Sequence, residues 1–96
     1  MPPLNLEELR QQIDTFDDII ILLLAKRDEA VKQVARYKQK HGLSLRQPQR
    51  EAQVIKHCCQ LAQERGVDPD FADFVEKLFR LIMEEGLNQE QKLTTK

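Results

Sequence analysis

The chain has 96 residues and a net charge of −1, enough for one small domain over 1–96 and marginal for a stable monomer. Near-neutral charge gives no basis for binding nucleic acid or an anionic membrane surface. The longest apolar run, Ile19 to Ala25, is far too short to span a bilayer, and Met1-Pro2-Pro3-Leu4 lacks the pattern of a secretory signal, so a cytoplasmic location is expected.

The first predicted element is a helix over about 5–41. Asn5 with Glu8 three residues later has the spacing of a capping box, and no Gly or Pro interrupts the chain until Gly42, which follows His41 as a helix stop. About 36 residues at ~1.5 Å each give a rod of ~54 Å. A compact domain of this size is roughly 35 Å across, so the rod outruns its own fold and calls for a second copy along it. The fold class expected is therefore all-α, three helices per chain, in an intertwined homodimeric bundle.

That helix carries an unusual stripe. Steps of three and four from Arg10 reach Ile13, Asp17, Ile20, Leu24, Arg27, Val31, Val34 and Lys38, a seam of period 3.5 that normally holds apolar residues. Leu9, Phe16, Leu23, Ala30 and Tyr37 widen it into a core face. Arg10, Arg27 and Lys38 thus point to an interior where such side chains are rarely buried without partners, and Asp17 could neutralise one of them.

A loop over Leu43 to Arg46 leads to a second helix over 48–65, with Pro48 at its first position and Gln47 as cap. Glu51 shares a face with Val54, Ile55, Cys58 and Ala62, while Arg50 is a cation in a first turn that prefers anions. Cys58 and Cys59 stand alone, so neither a disulfide framework nor a four-ligand zinc site is available; they read as half-buried thiols, with a redox vicinal pair as the alternative. The third helix is predicted over 69–91 from Asp68-Pro69, and 92–96 as a frayed tail. No segment alternates as a strand.

Arg10, Arg27, Lys38 and Arg50 against Asp17 and Glu51 leave about two surplus interior cations. One reading is a bundle with internal salt bridges and long side chains reaching solvent. The other is a pocket for a small dianion, with arginines gripping carboxylates in two-pronged fashion and lysine meeting a single oxygen.

The combined spacing of Leu9-Arg10, Ile13-Asp14, Asp17, Leu23-Leu24, Arg27, Lys38, Arg50-Glu51 and Leu78-Phe79-Arg80-Leu81-Ile82-Met83-Glu84 resembles the small all-helical type of chorismate mutase, from about Leu6 to Gln91. The resemblance implies two interlocked protomers forming two sites. In each, Arg27 and the partner's Arg10 would hold the two carboxylates of chorismate. Lys38 would meet a carboxylate and the ether oxygen, Arg50 would support the pocket, and Glu51 would accept a hydrogen bond from the ring hydroxyl. The reaction implied is the Claisen rearrangement to prephenate, with no cofactor or metal. Three positions depart from the bacterial pattern. Gln47 stands where aspartate is common, though its backbone N–H could still face the ring hydroxyl. Gly86 stands where a Ser or Thr hydroxyl meets a carboxylate. Glu90 stands where glutamine is frequent and some fungal relatives have glutamate. Only a protonated Glu90 could donate to the ether oxygen; its alternative is a solvated residue in a fraying last turn. These departures leave open 4-amino-4-deoxychorismate or isochorismate as substrate, the latter by pyruvate elimination. A non-catalytic dimerisation or regulatory module also stays open, although such a seam would favour apolar residues at the cationic positions.

Overall fold

A computed structural model describes residues 5–66 and 68–94. It contains three helices, α1 (Leu6–Lys40), α2 (Pro48–Arg65) and α3 (Phe71–Thr94), with no strand among the described residues. None of these helices is long and apolar enough to cross a membrane. The chain divides into two compact units, Met1–Ala30 and Val31–Lys96.

In the first unit α1 begins as its sequence dictates. Asn5 Oδ1 accepts the Glu8 N–H at 2.8 Å, Asn5 Nδ2 reaches the Glu8 carboxylate at 3.4 Å, and Leu9 N–H bonds the Asn5 carbonyl at 3.1 Å. Glu7 and Glu8 put negative charge at the positive helix end. The apolar face that should be a core is open: Leu9, Ile13, Phe16, Ile20, Leu23 and Leu24 are all exposed, Phe16 at 60% and Ile20 at 53%. Of all residues in α1 only Ala35 is buried.

In the second unit α1 ends in a glycine cap. Gly42 has φ +66°, the left-handed conformation that a side chain would resist. Leu43 N–H bonds the Lys38 carbonyl at 2.8 Å, and Gly42 N–H bonds that of Gln39 at 3.4 Å. Pro48 sits in the first turn of α2. The face expected to be inward is inward: Ile55 and Ala62 are buried, and Glu51, Val54 and Cys58 are half-buried. Helices α2 and α3 pack on one another. Gly66 makes their close approach possible, because a Cβ there would overlap the Phe71 ring and come within 2.8 Å of the Ala62 carbonyl.

α3 starts later than the Asp68-Pro69 signal suggested. Asp68 closes a turn by accepting Phe71 N–H at 3.1 Å, and Asp70 supplies the carbonyl for Phe74 N–H at 3.1 Å. The proline therefore serves the turn, and Asp70 takes the place of the cap. At its other end the helix runs on through Lys92 to Thr94, whose hydroxyl donates to the Glu90 carbonyl at 2.9 Å. The residues after it, 95–96, of the expected tail lie outside the described residues. Ala35, Ile55 and Ala62 are the buried apolar residues of the described chain.

Candidate active site

Lys38 is the centre of the second unit's polar interior. Its backbone carbonyl caps the end of α1, and its ammonium turns to the loop that follows, donating to the Leu45 carbonyl at 2.6 Å. The remaining contact is long-range. Glu90, on α3, places Oε2 at 3.1 Å and Oε1 at 3.3 Å from Lys38 Nζ, and the two side chains are only 13% and 9% exposed. Glu90 is thus not the solvated end-of-helix residue that its position allowed. Gly86, one turn earlier, is the other buried residue of α3.

A second cluster surrounds the start of α2. Gln47 caps the helix only with its backbone: its carbonyl accepts Glu51 N–H at 3.0 Å, while its side-chain amide donates backwards to the Ser44 carbonyl at 2.7 Å. Glu51 is half-buried and holds Arg46, whose Nη1 lies 3.2 Å from Glu51 Oε1 and whose Nη2 lies 3.2 Å from Glu84 Oε2. Sequence reasoning passed over Arg46 and Glu84. Only the five-residue spacing to Glu51 hinted at the first pair; the second spans 38 residues and depends on packing.

The arginines stand differently from the interior positions expected. Arg50 is exposed on α2. In the first unit Arg10 and Asp17 are exposed and Arg27 is half-buried. Their apolar seam is itself uncovered in the single chain, so these side chains have no interior to enter. Among the described residues, Arg10, Arg27 and Arg50 make no ion pair, and Asp17 neutralises none of them. The chain thus offers one lysine already satisfied by a carboxylate and a carbonyl, one glutamate held by an arginine, and three arginines free to take an anion. No cluster among the described residues has the His, Cys, Asp and Glu content to hold a metal ion.

A family model described as chorismate mutase type II matches residues 9–91. The chain belongs to that family. A T-protein from Enterobacter agglomerans is 38% identical over 86 residues, covering 90% of this chain and 22% of its own length. The chorismate mutase of Methanocaldococcus jannaschii is 32% identical over 80 residues, 83% of this chain and 78% of that protein. A 4-amino-4-deoxychorismate mutase from Streptomyces venezuelae is 30% identical over 67 residues, 70% of this chain and 65% of its own. The chain thus spans about a fifth of the T-protein it matches. No solved structure gives a significant match. Of the residues singled out in the sequence, Lys38, Gln47, Arg50, Glu51, Gly86 and Glu90 fall in the second unit, and Arg10 and Arg27 in the first.

Proposed function

We propose that the chain is a chorismate mutase, converting chorismate to prephenate in aromatic amino acid biosynthesis as an intertwined homodimer. The observation that carries this is the nearly buried Lys38 ammonium, aimed by the α1 cap and the Leu45 carbonyl, in a chain whose Arg10, Arg27 and Arg50 have no acid of their own. A substrate with two carboxylates is the complement such a set lacks. Arg27 and the partner's Arg10 take those carboxylates, Arg50 adds to the same field, and Glu51 accepts from the ring hydroxyl. Gln47 offers its backbone N–H beside that hydroxyl, and Gly86 takes the position from which a Ser or Thr hydroxyl meets a carboxylate in the bacterial pattern.

Catalysis in this reading is electrostatic. The C–O bond breaks ahead of C–C bond formation, so negative charge grows on the ether oxygen, and Lys38, held in place by Glu90, stabilises it. Binding also selects the folded conformer in which the two carbon ends meet. A 10⁶-fold acceleration needs about 8 kcal/mol of differential stabilisation, within reach of a few preorganised donors.

The dimer is supported by the first unit. Its long apolar row is exposed, and uncovered patches of that kind mark interaction surfaces. A second copy of the same helix would satisfy a row of period 3.5.

A second substrate, 4-amino-4-deoxychorismate, is the alternative that the Streptomyces relative's name points to. Incubating the purified chain separately with chorismate, 4-amino-4-deoxychorismate and isochorismate, and identifying products, tests the reading. Prephenate from chorismate is the expected outcome; no product from it would remove the proposal.

A further inference from the structure

We infer that Arg46 is a specificity-determining positioning residue: by pairing with Glu51 it sets the site for a neutral hydroxyl rather than an ammonium on the substrate ring. The inference rests on the chorismate mutase reading and on the role given there to Glu51.

An unpaired carboxylate discriminates strongly in favour of a cation, because Coulomb attraction adds to the hydrogen bond. A carboxylate already compensated by a guanidinium keeps its acceptor lone pairs but loses most of that preference, and the guanidinium repels an arriving ammonium. Glu51 is in the second condition. Arg46 Nη1 occupies one side of Oε1 at 3.2 Å, leaving Oε2 without a partner among the described residues. The wider field has the same sign. Glu51 lines a groove of about 540 Å³ between α2 and α3, in which Arg46, Lys56 and Arg80 face Glu51 and Glu76, an excess of one cation. Glu84 works against this. By holding Arg46 Nη2 at 3.2 Å it draws part of the positive charge away from Glu51. The Glu84–Arg46–Glu51 chain is therefore a graded device whose two ends should respond to substitution in opposite directions. The pairs are partly exposed, at 34–58% of the side-chain surface, so solvent screening keeps the effect moderate.

The test is a ratio, kcat/KM for chorismate over kcat/KM for 4-amino-4-deoxychorismate, measured on the same preparations of wild type, R46Q, R46K and E84Q. R46Q is expected to shift the ratio toward the amino substrate on the order of tenfold, equivalent to about 1.4 kcal/mol. R46K, which keeps the charge, should shift it much less, and E84Q should move it the other way. A variant that loses part of its fold lowers both efficiencies together and leaves the ratio alone. Should R46Q prove insoluble, E84Q, at an exposed position, still gives a signed result. Ratios unchanged in both R46Q and E84Q, with wild type active on chorismate, would overturn the inference while sparing the chorismate mutase reading. A wild type that prefers the amino substrate while still converting chorismate overturns the inference alone, and one that yields no product from chorismate overturns both.

Discussion

Lys38 has three N–H bonds to give, and in the free chain they go to the Leu45 carbonyl and the two oxygens of Glu90. Any ligand oxygen must enter that arrangement, and the Glu90 carboxylate competes with it for the ammonium. Glu90→Gln removes that competing charge and supplies an amide that can itself donate, so kcat/KM is expected to rise several-fold at unchanged helicity. An unchanged kcat/KM would leave Lys38 as the main donor. Cys59 gives a pH-dependent outcome. Partial burial, then the Glu76 carboxylate 3.8 Å from Sγ, push this thiol above its ordinary range. The folded chain thus holds the proton where the unfolded one releases it. The stability this supplies is present below the unfolded pKa and is lost as pH rises through the folded one. In a Cys58→Ser background, alkylation of Cys59 should need a more alkaline pH than a free thiol, and Glu76→Gln should move its midpoint down.

At the scale of elements, local chemistry was readable and long-range pairing was not. Asn5, Gly42 and Pro48 mark helix ends through bonds made within a few residues, and those ends form where the sequence signals them. Asp68-Pro69 misled because a proline that fits a helix start also fits a tight turn, and the Phe71 packing against Gly66 decides for the turn. The Lys38–Glu90 pair joins residues 52 apart, so no window of sequence contains it. Position 66 yields a prediction of its own. Gly66→Ala forces a methyl group into the Phe71 ring and against the Ala62 carbonyl, a cost of about 1–3 kcal/mol. Gly42→Ala meets open space, and its penalty is the left-handed backbone alone, roughly 1 kcal/mol. Thermal melts should show the larger drop for Gly66→Ala.

The whole molecule raises the question of what covers α1. Periodicity says that Ile13, Ile20 and Leu24 want burial but is silent on the surface that supplies it, which is why Arg10, expected inside, stands outside. If a second copy provides the cover, folding and association are one equilibrium, and the unfolding midpoint must rise with protein concentration. A folded monomer persisting at nanomolar concentration in the ultracentrifuge would end the dimer proposal. The shared site has a sharper check. Arg10→Ala and Arg27→Ala should each lower kcat/KM by several orders of magnitude with helicity intact, and the two refolded together should regain part of the activity, since a heterodimer can assemble one site with both arginines. Heterodimers without recovery would place both arginines in the same protomer's site.

The double anchoring of Lys38 has a consequence for how this chain can change over generations. Surface loops are where insertions and deletions usually accumulate harmlessly. Here the segment after α1 is fastened to Lys38 at two points, by Leu43 N–H to its carbonyl and by its ammonium to the Leu45 carbonyl. A residue gained or lost between those points would change the reach from the helix end to the charge it aims. Sequence drift at Ser44 is therefore open while length drift is closed: Ser44→Gly should keep activity, whereas one glycine inserted between Ser44 and Leu45 should abolish it at unchanged helicity. The loop is free in its letters and fixed in its count.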